Sequence, residues 1–150
     1  MTLAPRDPDF EARVRGSFVR QRFMATLGAT VERVVPGEVS IGFGFRDDLT
    51  QQHGFLHAGV MTAVADSACG YAALTVMDRD AGVLAVEFKI NLLAPAKADR
   101  FVAVARVIRS GRTLIVCTCE VIADPLGART TIALLQGTLM AVRGREGIAD

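Results

Sequence analysis

Hydrophobic and polar positions along the chain fall into two regimes. Residues 57–77 contain a single charged side chain, Asp66, and no proline, and alanine, valine and methionine dominate them. That composition predicts a helix. A helix apolar on nearly all sides must be enclosed by protein or by lipid. The flanks alternate instead. Before the central run, Val39, Ile41, Phe43 and Phe45 occupy every second position, and Pro36-Gly37 separates them from a shorter run, predicting a hairpin over 29–35 and 38–45. Further upstream, Asp7-Pro8 reads as an N-cap followed by proline at the first helical position. Phe10, Val14 and Phe18, then Phe23 with Met24, extend an approximate helical stripe, with Arg13, Arg15, Arg20 and Arg22 facing elsewhere. A helix over 7–28, closing at Leu27-Gly28, is expected.

Four strand-like runs follow the central stretch. Residues 83–93 place Val86, Phe88, Ile90 and Leu92 on one face and Glu87, Lys89 and Asn91 on the other, with Pro95 ending the run. Runs 100–109, 113–123 and 129–142 are joined by turns at Ser110-Gly111-Arg112 and Asp124-Pro125-Leu126-Gly127. The tail 143–150 reads as frayed. Short turns imply antiparallel neighbours, so the expected layout is α+β, an antiparallel meander on one dominant helix, in a single domain over 1–150.

Composition narrows the partners. The chain has 150 residues, 51% hydrophobic and 22% charged, enough for one compact core. A net charge of +1 offers nothing to nucleic acid or to an anionic membrane surface. Lipid around the central helix is set aside as well. A mid-span Asp costs about 2.5–3.5 kcal/mol. The chain also has no tryptophan, and Ala63, Ala65, Ala68, Gly70, Ala72 and Ala73 suit close packing on protein. The N-terminus lacks the basic start and apolar core of a signal peptide, so a cytoplasmic location is expected. Three cysteines, with Cys117 and Cys119 two apart, make no disulfide framework and read as reduced, small apolar side chains.

The candidate chemistry gathers on the central run. A lone carboxylate among apolar residues is costly unless paired or used, which marks Asp66 as functional. His53 and His57 stand four apart, but Gly54 and the loop context deny them a shared helical face, and no third ligand has close spacing, so no metal site is expected. Cys69, one turn beyond Asp66, reads either as lining the same cavity or as core filler; it has no sequence-adjacent base that would make it a nucleophile.

The segment Gln51-Gln52-His53-Gly54-Phe55-Leu56-His57-Ala58-Gly59, with Asp66 nine residues after His57, resembles the PaaI-type hotdog-fold thioesterases. Their pattern reads Asn-x-x-Gly-x-x-His-Gly-Gly, then six residues, then Asp. The run Val86-Glu87-Phe88-Lys89-Ile90-Asn91-Leu92-Leu93-Ala94-Pro95-Ala96 and the turn Gly111-Arg112-Thr113 are similar to that family too. The resemblance implies a hotdog fold, an antiparallel sheet wrapped around one long helix, here with an extra N-terminal helix. It implies hydrolysis of an acyl-CoA thioester, with coenzyme A part of the substrate and no other cofactor. It places the carbonyl oxygen on the N–H of Ala58, His57 and Gln51 on the loop or thioester, and Asp66 as nucleophile or general base. Gly54, Gly59, Ser67, Cys69 and Ala85 are carried over as substrate-lining positions, and Arg109 and Arg112 as partners for CoA phosphates or as a solvated turn. Three departures stand out: Gln51 for asparagine, Ala58 for glycine, and Ala85 where Ser or Thr is frequent.

Helix geometry then bears on assembly. Ala58 and Asp66 are eight residues apart, about 12 Å along a helix at about 1.5 Å per residue. Reacting groups must come within roughly 3–3.5 Å, so one subunit cannot present both to one carbonyl. Two antiparallel helices across a two-fold axis can. The resemblance implies the same homodimer, paired into a homotetramer. A non-catalytic acyl-CoA-binding domain and a hotdog hydratase or dehydratase are the alternatives.

Overall fold

The computed structural model describes residues 3–124 and 126–148. Pro125 of the expected turn and the end of the expected frayed tail, 149–150, lie outside them. The elements are α1 (Phe10–Phe18), α2 (Arg22–Thr26), β1 (Thr30–Val35), β2 (Glu38–Gly44), a short 3-10 turn (Asp47–Leu49), α3 (Ala58–Leu74), β3 (Ala81–Leu92), β4 (Arg100–Ser110), β5 (Leu114–Ala123) and β6 (Thr130–Arg143).

The six strands form one antiparallel sheet in the order β1-β2-β4-β5-β6-β3. The sheet wraps α3, which packs against β2, β3, β4, β5 and β6. Ala65, Ala68, Ala72 and Ala73 of α3 are fully buried, as are Val39, Ile41, Phe101, Ile115 and Leu135 of the sheet. Small side chains let the helix axis approach the strands closely, which gives dense packing along its whole length. The β1–β2 turn docks on the far end of the helix, where Gly37 N–H donates to Thr75 Oγ1 at 2.7 Å. Gly37 has φ +78°, a conformation that glycine adopts without strain.

Four expectations need correction. The N-terminal helix over 7–28 is two helices broken at 19–21. The step from Phe18 to Phe23 and Met24 already exceeds a helical repeat, and the break lets Met24 reach the core while Phe23 stays exposed. Asp7 does not cap the helix; its carboxylate accepts from Asp9 N–H at 3.0 Å one turn earlier. Arg13, expected to face away, is buried: it donates to Asp78 O at 3.0 Å and to Ala81 O, and pairs with Asp7. The meander fails at β3, which pairs with β6 at one edge, because the connection 93–99 crosses the sheet instead of making a tight turn. Leu56 N–H donates to Ala96 O at 3.1 Å and Phe45 N–H to Asp99 O at 3.0 Å, so that crossing is pinned to the strand and loop that precede α3.

Part of the expected tail packs on the domain. Arg143 belongs to β6 and bonds Asp78, and Ile148 lies so close over Gly82 that a Cβ there would meet its Cγ2 at 2.6 Å. On β3, the apolar side chains are not covered within this chain: Val86 is 53% exposed, Phe88 42% and Leu92 54%. A shift of register between Ala85 and Glu87 accompanies this edge position.

Candidate active site

The central helix is not buried on every side. Gly59, Thr62, Ala63, Asp66, Ser67 and Gly70, spaced three and one apart, remain open or half-open, so one stripe escapes the sheet. Asp66 sits in the middle of that stripe, and its carboxylate has no hydrogen-bond or ion-pair partner among the described residues. Burial alone raises its pKa above the ordinary carboxylate value, because the charged form loses hydration that nothing nearby replaces. It lines a cavity of about 140 Å³ together with Gln21, Ser67, Tyr71, Ala85 and Leu139.

The start of α3 forms a second feature. His57 is the N-cap, in extended conformation (φ −63°, ψ 137°), and its Nδ1 accepts from Gly59 N–H at 2.8 Å. Because a backbone N–H only donates, Nδ1 carries no hydrogen and the neutral ring holds its proton on Nε2. The N–H of Ala58 finds no acceptor among the described residues. It therefore presents a donor at the positive end of the helix. Thr50 bridges Leu56 in antiparallel pairing, closing the preceding loop, in which Gln51 N–H donates to Phe55 O at 2.9 Å. The Gln51 side-chain oxygen accepts from His53 N–H. Gly54 turns that loop with φ +79°. Gln51, Ala58 and Met61 line a separate cavity of about 400 Å³, closed by residues 92–96.

The expected site residues thus divide into two groups within one chain. Gln51, Gly54, His57, Ala58 and Gly59 meet at the helix start; Asp66, Ser67 and Ala85 meet halfway along. Cys69 joins neither group. It is buried against β5, where Cys117 Sγ donates to its carbonyl at 3.6 Å. Cys117 lowers the Cys69 thiol pKa, but Cys119, burial and the Asp66 charge together hold it above the ordinary value, so it is a protonated core side chain. Arg109 and Arg112 are exposed at the β4–β5 hairpin. Leu139 faces both Ala85 and Ile115 in register, so that hairpin lies at the Asp66 end of the sheet, remote from Ala58.

Sequence reasoning missed Gln21 and Tyr71. Ser67 Oγ donates to Gln21 Oε1 at 3.0 Å, and Gln21 Nε2 donates to Tyr71 Oη at 3.3 Å. These groups supply the cavity with hydroxyls that Ala85 lacks. Tyr71, four residues after Ser67 on the same helix, was open to detection by spacing. Gln21 carried no signal, because it arrives from another element through the break between α1 and α2.

Comparison with known proteins places the chain in a family. The profile of the thioesterase superfamily matches residues 53–128, a stretch that contains Ala58 and Asp66. A thioesterase family protein of Silicibacter pomeroyi has a similar structure, with a TM-score of 0.88 and 49% identity over 90% of this chain and 99% of that one. A candidate esterase of Saccharolobus solfataricus is 38% identical over 90 residues, 60% of this chain and 59% of that protein. The curated relatives are matched over about three fifths of their length. The PaaI protein of E. coli, from the phenylacetic acid degradation operon, shares the fold with a TM-score of 0.80 at 19% identity, covering 89% of this chain and 94% of that one. The wrapped helix is the hotdog fold, and the chain belongs to the thioesterase superfamily.

Proposed function

We infer that the protein hydrolyses an acyl-CoA thioester to the free acid and coenzyme A, at sites shared between the two protomers of a homodimer. Family membership supports thioester hydrolysis in general. The observation that carries the finer reading is the unpartnered, half-buried carboxylate of Asp66 on the one open stripe of α3.

The thioester carbonyl oxygen accepts from the Ala58 N–H of one protomer, where the helix end stabilises the charge that develops on it. Asp66 of the other protomer acts at the carbonyl carbon. As a base it takes a proton from water while the water oxygen bonds to carbon; the C–S bond then breaks, and that proton passes to the departing CoA sulfur. As a nucleophile its carboxylate oxygen bonds to the carbonyl carbon and expels the CoA thiolate as the C–S bond breaks, and water then opens the resulting anhydride to the free acid and the regenerated Asp66 carboxyl group. A raised carboxyl pKa suits the first route, since the same group must both take and return a proton. His57 fixes the loop by capping the helix, and Gln51 stands at the mouth of the neighbouring cavity. Arg109 and Arg112, from the protomer that supplies Asp66, are the proposed contacts for CoA phosphates.

Support for the dimer comes from β3, an edge strand with unpaired backbone groups and apolar side chains in solvent. Pairing of dimers into a homotetramer and a cytoplasmic setting belong to the same proposal. Hydrolysis needs water and no further cofactor.

Thiol release from a panel of acyl-CoAs tests the reading. Wild type releases free thiol, and Asp66→Asn lowers kcat by about a hundredfold or more. Tight binding without release would favour a binding domain instead. A change in enoyl absorbance without thiol would favour a hydratase or dehydratase.

A further inference from the structure

Gln21 stands where the chain turns inward between α1 and α2, and both ends of its amide are held, by Tyr71 Oη and Ser67 Oγ. On one side lies the Asp66 cavity of about 140 Å³. On the other, between the N-terminal helices and the start of β1, lies a groove of about 490 Å³ lined by Phe18, Val19, Ala25, Ala29 and Val31. Gln21 belongs to both linings. Phe18 of the groove meets Tyr71 of the cavity edge to face, with ring centroids 5.7 Å apart. The clamped amide and this ring pair form the wall between the two spaces.

We propose that Gln21 is a specificity-determining residue that closes the distal end of the acyl site and limits the length of acyl group accepted. The proposal rests on the thioesterase reading, in which the carbonyl carbon lies beside Asp66 and the acyl group runs along α3 towards Tyr71. A cavity of about 150 Å³ holds one benzene ring, so a space of this size takes a short or single-ring acyl group. A longer alkyl chain meets the amide. To pass, it must break both side-chain hydrogen bonds and leave half-buried polar groups facing hydrocarbon. Beyond the amide, the groove is more than three times the cavity's volume and mostly apolar, so each methylene that reached it would be favourably buried.

The test is a chain-length series from acetyl-CoA to decanoyl-CoA, read as kcat/KM for wild type and Gln21→Ala. In a hydrophobic pocket one methylene changes kcat/KM by roughly tenfold or more. Removal of the wall should therefore raise the octanoyl-to-butyryl ratio about tenfold or more. Gln21→Ser should give the same shift, and serves if the alanine variant does not fold. Adding Ala25→Phe to either variant refills the groove and should reverse the gain, which general loosening of the fold would not do. A chain-length profile unchanged by both Gln21 variants, or a gain that Ala25→Phe leaves intact, overturns the proposal. If no thioester is cleaved by wild type, the catalytic reading fails separately. The wall is then tested by calorimetry with non-cleavable S-alkyl-CoA thioethers, where Gln21→Ala must shift the affinity series towards longer chains.

Discussion

Ala58 and Asp66 lie on the same helix yet line different cavities, the first with Gln51 at the helix start, the second with Ser67 halfway along. If they serve one carbonyl, each must come from a different protomer. Complementation follows from this. Asp66→Asn and Ala58→Pro should each be inactive alone. In a heterodimer of the two, one site keeps both an intact Asp66 and an intact Ala58 N–H, and the other loses both. Random mixing by co-refolding makes half the dimers mixed, so activity should return to about a quarter of wild type. Mixed dimers with no recovered activity would mean that the groups do not act across the interface.

Ala58→Pro tests the oxyanion donor by itself. At the first helical position proline is tolerated, because the missing N–H has no intrahelical acceptor. It also requires an extended residue before it, and His57 already has φ −63° and ψ 137°. Thermal stability should therefore change little while kcat falls about 10²–10³-fold. Ala58→Gly, which keeps the N–H, should retain activity. Full activity in Ala58→Pro would show that this N–H is not the oxyanion donor.

The raised pKa of Asp66 has two consequences with defined signs. If the carboxylate is the reacting form, kcat/KM should climb with pH, with a midpoint above the ordinary carboxylate range. For stability, a folded pKa above the unfolded one means that the native state holds the proton more tightly. The contribution is complete below about pH 4 and is lost as pH rises through the folded value. Asp66→Asn should therefore resist urea better than wild type at pH 7, and this advantage should shrink as the pH approaches 4. An advantage that does not vary with pH would show that burial is not what perturbs this group.

Much of this fold was legible because its strongest signals are local. The uncharged run became α3, Pro36-Gly37 became the β1–β2 turn, and alternation over Val39, Ile41 and Phe43 marked a strand whose alternate side chains are all buried. What was not legible depends on partners distant in sequence. Gln21 breaks a helix that local propensity would continue, and its amide is taken up by Ser67 and Tyr71 some fifty residues away. The crossing after β3 is pinned by Leu56 and Phe45, which no turn rule anticipates. Cys69 turns towards β5 because it falls in the buried series Ala65, Cys69 and Ala72, the side of α3 that faces the sheet. Of the β3 residues read as one face, Phe88, Ile90 and Leu92 keep the alternation, but the shift of register between Ala85 and Glu87 takes Val86 out of it, and Phe88 and Leu92 stay exposed within a single chain.

The buried pair of Arg13 and Asp7 gives a prediction about folding, independent of catalysis. Their side chains are 8% and 1% exposed, with Nη1 to Oδ2 at 3.6 Å, and Arg13 also holds the carbonyls of Asp78 and Ala81. This one side chain ties α1 to the connection between α3 and β3. Arg13→Met keeps the apolar stem but leaves the Asp7 carboxylate buried without its ion-pair partner, which should cost about 3–5 kcal/mol in urea unfolding. Adding Asp7→Asn removes that stranded charge, so the double variant should recover part of the loss. The coupling is the deciding quantity. A cost below about 1 kcal/mol, unchanged by the second substitution, would place the pair with ordinary surface ion pairs, and α1 would then be held by Val14 and its apolar neighbours alone.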